Sequence, residues 1–402
     1  MVEQLKSQAW LQDPRLASLF GAIEGAGGQI RVAGGAVRNG LWGLAINDID
    51  AATTLTPDVV LTVCKAAGFS VHPTGLQHGT VTVVVDGLVV EVTTLRTDIK
   101  TDGRHAVVGF TLDWHEDAMR RDFTVNALYC DLTGKVFDET GHGLDDIETK
   151  RIAFVGDAGE RIKEDYLRIL RFFRFEARFG QGVLDPTGLA ACIEHKQGLK
   201  ALSAERIWAE LSKTLVAVRA SPIITAMFEV GILQELIEVT RPLSCLARLC
   251  EIEASHDIEP DAIRRLGCLT NEAGHLRLSG DEKKRFKALS TMPTLNPTLS
   301  EQAQKVLLYE NGQQTYRDCC LIQWALGVED VENKDWFLLY QLPERWPIPV
   351  FPIKGKDLLG IGISSGKHMG EMLSKLEVSW KQSRFSATKK QLLDAALANK
   401  FN

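Results

Sequence analysis

No CxxC pair occurs in the 402-residue sequence, and its eight cysteines, at 64, 130, 192, 245, 250, 268, 319 and 320, are scattered. That argues against a structural zinc site or a disulfide framework and points to reduced, mostly buried thiols. No run approaches the roughly 18 apolar residues that a membrane span requires, so no membrane partner is expected. The N-terminal segment is polar and amphipathic and lacks the apolar stretch of a signal peptide, so the expected location is cytoplasmic. The nine histidines are also scattered, with no adjacent His-Asp pair matched by others at ligand spacing, so no phosphohydrolase domain is expected. A net charge of −6 excludes a uniformly basic coat, although local patches can still bind phosphates. Repeats and low-complexity tracts are lacking too. What is present is an ordinary globular composition, 45% apolar and 24% charged, long enough for roughly two to four domains.

The pattern along the chain changes near residue 145. Before it, residues 14–28 read as a helix ending in glycines, and a short apolar strand from Gln29 to Ala33 runs into Gly34-Gly35. AVRNGLWGLA reads as helix and NDIDAATT as a strand with acids on alternate positions. A helix opened by Pro57 follows. Then come two β-branched runs around Asp86-Gly87, a hairpin signal. Beyond 145, EDYLRILRFFRFEARF, SAERIWAELSKTLVAV and SPIITAMFEVGILQELI show 3.6-residue periodicity with almost no alternation. Breaks fall at PTLNPTLS and within PERWPIPVFPIKGKDLLG. The fold class is therefore α+β: a mixed head followed by a long all-helical region.

Chemistry-bearing residues concentrate in that head and just after it. On a strand, Asp48 and Asp50 would project to one face. A divalent cation relieves the repulsion between them, and Mg²⁺ commonly takes one or two carboxylates plus substrate phosphates. Gly34 and Gly35 would let backbone N–H groups approach a triphosphate, with Arg38 adding positive charge. Either element alone fits a solvated turn; the two together, after a strand, favour a nucleotide site. Glu91 interrupts an apolar strand. It reads either as an edge charge facing water or as a third acid, a metal ligand or a base for an attacking hydroxyl.

Two basic segments follow. Arg120, Arg121, Asp122 and Asn126 suit phosphate and ribose recognition, or form a salt-bridged helix cap. Asp165 and Arg168, placed on one helix, lie a turn apart on a shared face. They read either as an intrahelical ion pair or as an acceptor–donor edge for a base, which would leave Arg171 and Arg174 for the triphosphate.

In this order, GGAVR, DID, VEVTTLRTD, TDGRHAVVGFT, RRDFTVNAL, EDYLRILRFFRF and AERIWAEL resemble the class II tRNA nucleotidyltransferase/poly(A) polymerase family of the polymerase-β-like superfamily. The likeness runs continuously from about residue 30 to 215 and continues weakly through LRLS and GKDLLGIGISSGKHMGEML. It implies a nucleotidyltransferase head at 1–143, a nucleotide-selecting helical neck at 144–217, a helical body at 218–325 and a tRNA-binding helical tail at 326–402. By matching position, Asp48 and Asp50 would hold the metal. Gly35, Arg38, Arg121, Asp165, Arg168, Arg171 and Arg174 would bind CTP or ATP, with Asp165 and Arg168 selecting the base without a template. Glu205, Arg206 and Glu210 would stabilise the neck.

The implied activity is Mg²⁺-dependent addition of C, C and A to tRNA 3′ ends, with release of pyrophosphate and no DNA partner. A poly(A) polymerase, or a partial enzyme adding only CC or only A, stays open, because the head motifs separate these poorly. An inactive RNA-binding protein on the same fold is a different reading; it would be expected to lose an aspartate of DID, and both are present. Two departures from the family pattern bear on this. Asn39 stands where the family usually has Asp, so a charge beside Arg38 is lost. In the tail, SSGK replaces a proline-containing turn, yet Gly366 and Lys367 are still expected to open a helix. Residues 354–390 carry eight Lys or Arg against Asp357, Glu371 and Glu377, a stripe suited to RNA phosphates.

Overall fold

The computed structural model describes residues 5–6, 8–101 and 106–398. Residues 102–105, within the TDGRHAVVGFT string, lie outside the described residues. Two compact units result: residues 1–237 with 275–277, and residues 238–274 with 278–402. The boundaries expected at 143 and 217 both fall inside the first unit.

In the first unit, α1 (Pro14–Gly25) is capped by the Asp13 carboxylate, which accepts from the Arg15 N–H, with Pro14 in the first turn. Strand β1 (Ile30–Ala33) enters α2 (Gly35–Trp42) through Gly34. Next come β2 (Ile49–Thr53), α3 (Pro57–Ala66), β3 (Ser70–Gly75), β4 (Thr80–Val85) and β5 (Leu88–Thr94). The β4–β5 turn has positive φ at both Asp86 and Gly87, 46° and 83°, as a type I′ hairpin requires. Strand β3 is not legible in the sequence, because Pro73 and its polar neighbours break the alternation. It lies at the sheet edge, where a missing N–H leaves no ladder bond unmade.

A two-stranded ribbon, β6 (Arg96–Thr101) with β7 (Ala106–Phe110), precedes α4 (Trp114–Met119), β8 (Leu128–Cys130) and β9 (Val136–Asp138). The main sheet has the order β3-β4-β5-β2-β1-β8-β9. Its β2–β5 pair is parallel, and that register sets Asp50 beside Glu91. Glu91 is therefore not an edge-strand charge, since β5 is flanked by β4 and β2.

From residue 143 the first unit is helical, with α5 (Gly143–Thr149), α6 (Ala158–Glu164), α7 (Leu167–Phe179), α8 (Pro186–His195), α9 (Ala204–Leu215) and α10 (Ala220–Glu229). One expectation is corrected: Asp165 is not on the helix that carries Arg168. Its backbone is extended (φ −155°, ψ 104°) and breaks the periodic stretch into α6 and α7. The apolar stripe of α7 explains its packing. Phe172 and Phe175 meet Phe123 at ring-centroid distances of 6.5 and 5.0 Å, and Phe123 meets Phe154 at 5.0 Å. Backbone bonds from Thr124 N–H to the Ala153 carbonyl and from Val155 N–H to the Asp122 carbonyl, at 3.0 and 3.1 Å, hold the same segment. Burying each such phenyl ring contributes about 1.5–3 kcal/mol. This cluster fixes Asp122 opposite α7.

The second unit comprises α11 (Leu243–Ser255), α12 (Ala262–Gly267), α13 (Gly280–Thr291), α14 (Glu301–Leu326), α15 (Lys334–Tyr340), α16 (Leu342–Arg345), α17 (Gly355–Gly360), α18 (Lys367–Gln382) and α19 (Lys389–Ala398). Helix α14 kinks at Gly312, one of the residues that tolerates the break. The gaps before α14 and α17 match the expected breaks, and Gly366-Lys367 opens α18. Two cations of the basic stripe are already paired, Lys381 with Glu310 and Lys389 with Asp357. Seven of the eight cysteines are buried and none is in a disulfide.

Candidate functional site

Two cavities meet at Asp50. The first, about 490 Å³, is lined by Gly34, Gly35, Arg38, Asp50, Arg120, Arg121, Asp122, Asn126, Asp165, Leu167, Arg168, Arg171, Phe175 and Arg206. The second, about 660 Å³, holds Asp48, Asp50 and Glu91. One is rich in guanidinium groups, and the other in carboxylates.

Gly34 is required by its backbone. It has φ +62°, and a Cβ there would stand 3.1 Å from Arg121 Nη1 and 3.3 Å from the Asn126 carbonyl. That turn aims the start of α2, with its unpaired N–H groups, at the first cavity. One turn further on, Arg38 is buried. Burial pulls its guanidinium down to about 10; Asp122 opposes this, while Arg178, Arg174 and Arg171 add to it. Its hydrogen-bond partners are neutral: Nε and Nη2 donate to Asn39 Oδ1 at 3.1 and 2.8 Å, and Nη1 donates to Asn126 Oδ1. Asn39 thus keeps the hydrogen bonds and drops the charge.

The network continues from there. Asn126 Nδ2 donates to Asp122 Oδ1 at 2.9 Å, and Arg171 Nε and Nη2 donate to Asp122 Oδ2 at 2.8 and 2.5 Å. Burial would raise the Asp122 carboxyl, but the Arg171 charge and the bonds from Asn126, Arg171 and Phe123 N–H leave it below the usual range. Asp122 therefore couples α2 to α7 through side chains whose outer faces line the cavity.

Arg121 depends on two residues that sequence reasoning missed. Its Nη2 meets Asp117 Oδ2 at 3.0 Å, and its Nε donates to Tyr129 Oη at 3.2 Å. The Tyr129 hydroxyl donates to the same Asp117 oxygen at 2.7 Å. Asp117 is buried and also holds Arg120 at 2.7 Å. Burial acts to raise its carboxyl, but Arg121, Arg120 and the Tyr129 hydroxyl bring it to about 2. Its position three and four residues before two arginines was the available signal.

Asp165 and Arg168 both line the first cavity but do not pair with each other. Asp165 Oδ1 accepts from the Leu167 N–H at 3.1 Å, and Oδ2 meets Arg206 Nη2 at 2.6 Å. Arg168 Nη1 pairs with Glu164 and donates to the Arg161 carbonyl at 2.7 Å. Arg206, read from the sequence only as a stabiliser of the neck, lines the cavity itself. Arg174 stands outside that lining, paired with Glu210 at 3.0 Å.

In the second cavity, Asp48 lies just before β2 rather than within it, while Asp50 is on β2 and Glu91 beside it on β5. All three side chains reach solvent. Partial burial raises the Asp50 carboxyl, Glu91 and Asp48 raise it further, and Arg121 acts against them. Among the described residues no three His, Cys, Asp or Glu side chains already converge as a metal cluster. The donor set is oxygen only and mutually repelling, which fits a hard divalent cation completed by substrate oxygens.

Comparison with known proteins gives these features their context. Residues 30–153 match the Poly A polymerase head domain, and residues 183–243 match the probable RNA and SrmB-binding site of polymerase A. The mitochondrial CCA tRNA nucleotidyltransferase 1 of Homo sapiens is 34% identical, covering 95% of this chain and 92% of its own. The chain belongs to the class II tRNA nucleotidyltransferase/poly(A) polymerase family. The CCA-adding enzyme of Latilactobacillus sakei, another relative, is 30% identical over 93% of this chain and 95% of its own. In fold, the chain resembles the Bacillus stearothermophilus CCA-adding enzyme solved in complex with CTP (TM-score 0.77, 23% identity, 98% of both chains). It also resembles the Thermotoga maritima CCA-adding enzyme complexed with tRNA (TM-score 0.67, 21% identity, 99% and 98%). Family membership implies a divalent metal. No helix among the described residues is long and apolar enough to cross a membrane.

Proposed function

We propose that this chain adds C, C and A in order to tRNA 3′ ends from CTP and ATP, in the cytoplasm, with Mg²⁺ as the metal. The observation that carries the reading is the junction of the two cavities: a guanidinium-lined pocket suited to a triphosphate opens onto carboxylates at Asp50. The family membership and the relatives' activity support the substrate.

The RNA 3′-hydroxyl oxygen attacks the α-phosphorus of the bound nucleotide and gives up its proton to solvent. A new P–O bond forms, the bond to the bridging α–β oxygen breaks, and pyrophosphate leaves. Arg38, Arg121 and Arg171, with the Gly34-Gly35 turn, bind the phosphates and neutralise charge developing on the leaving group. Asp122 and Asn126 keep Arg38 and Arg171 in register. Asp165 and Arg168 face the base as acceptor and donor, positioned by Arg206 and Glu164 respectively. Arg174 adds charge from behind rather than contact. Asp48 and Asp50 are assigned as metal ligands, with Glu91 as the third acid beside them. When bound, the cation supplies Lewis acidity at the phosphate and acidifies the attacking hydroxyl.

Labelled tRNA transcripts ending at the discriminator base, at C and at CC, each incubated with CTP or ATP alone, test this. Two C additions that stop, and one A added only after CC, are expected. Continued A incorporation on any RNA identifies a poly(A) polymerase, and use of one nucleotide alone identifies a partial enzyme. Asp48→Ala should reduce incorporation at least ~100-fold; unchanged incorporation rejects the metal assignment.

A further inference from the structure

The acid-lined cavity is larger than its three carboxylates need, and its far wall comes from a segment that precedes the head-domain match at residue 30. Trp10 and Arg15 line it together with Leu88 and Val89 of β5. We infer that this wall is the seat of the RNA 3′-terminal nucleotide, with the Trp10 indole as the surface on which the terminal base stacks. The inference rests on the nucleotidyltransferase reading above and assigns to it a primer-positioning residue.

Three observations carry it. First, Trp10 is built in rather than loose. Its Nε1 donates to Gln8 Oε1 at 2.6 Å, and Gln8 Nε2 donates to the Gly40 carbonyl at 2.8 Å. That tie fixes the indole to α2, the helix that carries Arg38. Leu5 of the same segment also packs on α2 at Gly40, where a Cβ would stand 2.5 Å from Leu5 Cδ1. Second, the two cavities differ in charge. Among the described residues Arg15 is the sole cation lining the acid-rich one, and Asp13 already holds it at 2.6 Å. A triphosphate is repelled there and attracted to the arginine-lined cavity. A terminal nucleoside, whose reacting end is an uncharged hydroxyl, is not. Third, the wall is apolar where a base needs it. Val89 is 54% exposed on a central strand, beside a half-buried tryptophan. Stacking on an aromatic face is tolerant of base identity, which suits a primer end that changes from the discriminator base to C and then to CC.

The test is steady-state kinetics on tRNA ending in CC with ATP, together with tRNA binding by fluorescence anisotropy without nucleotide. Trp10→Ala should raise KM and Kd for tRNA between about 5- and 100-fold. KM for ATP should stay within about twofold, and Trp10→Phe should restore most of the loss. Val89→Asp, at an exposed position, should weaken tRNA binding in the same sense, and it decides the matter if Trp10→Ala does not fold. Unchanged tRNA affinity in Trp10→Ala, or a shift shared by tRNA and ATP that phenylalanine does not restore, overturns the inference. Failure of the parent chain to add nucleotides would count against the proposed function instead, and the anisotropy arm would still report on Trp10.

Discussion

Asp122 is the residue whose loss should propagate furthest through the first cavity, and Asp122→Asn isolates its charge. The amide keeps the Oδ1 side, where Phe123 N–H and Asn126 Nδ2 donate at 2.8 and 2.9 Å. On the other side it turns an NH₂ group toward Arg171, whose Nε and Nη2 now reach that oxygen at 2.8 and 2.5 Å. Each charge-assisted bond is worth about 1.5–3 kcal/mol. Arg171 retains 31% exposure, so water recovers part of that, and a net cost of about 2–3 kcal/mol is expected. For a unit of this size, that lowers Tm by roughly 5–10 °C. Because the native carboxyl is held below its usual range, its contribution is fully present above the ordinary carboxylate pKa and is lost as pH falls through the lowered native value. The parent should therefore lose stability faster than Asp122→Asn below about pH 4. With Arg171 released, kcat/KM for CTP and ATP should fall between about ten- and a hundredfold. Melting monitored by circular dichroism across pH, and single-nucleotide addition kinetics, check both parts. A variant melting within about 1 °C of the parent near neutral pH, or pH curves that run parallel, would refute the coupling of Arg38 to Arg171 through this carboxylate.

Two further outcomes follow from buried charges. Glu176 on α7 is 1% exposed and neither of its carboxylate oxygens has a hydrogen-bond partner among the described residues; burial pushes it up to about 7, with Arg219 opposing and Asp185 adding. A raised native carboxyl costs stability as pH climbs from about 4 to about 7. Glu176→Gln should therefore be neutral near pH 4 and stabilising on the order of 3 kcal/mol above pH 7, and a pH-independent difference in denaturant midpoint contradicts this. Asn39→Asp would give the buried Arg38 a charged acceptor while losing the donor that Asn39 Nδ2 supplies to the Ala45 carbonyl at 3.0 Å. A net gain of about 1 kcal/mol is expected in chemical unfolding, and a loss of stability shows that the neutral partner is the better fit.

The sequence by itself determined the α+β head, the helical remainder, the Asp86-Gly87 hairpin and the glycine turn, since each rests on local periodicity or on a backbone conformation that few residues adopt. It also determined the list of charged residues at the site, since the motifs carry them in order. It could not show which charges meet. The parallel register that sets Glu91 beside Asp50 joins strands about forty residues apart. Tyr129, from a later strand, closes the triangle with Asp117 and Arg121. The periodic run through residues 164–179 read as one helix, because nothing in the apolar spacing reports an extended residue at Asp165; as a result Arg206, not Arg168, became its partner. Side-chain pairing is a contest among all the charges that the fold brings within reach, and strand register and packed side chains, such as the phenylalanines around Phe123, decide which ones those are.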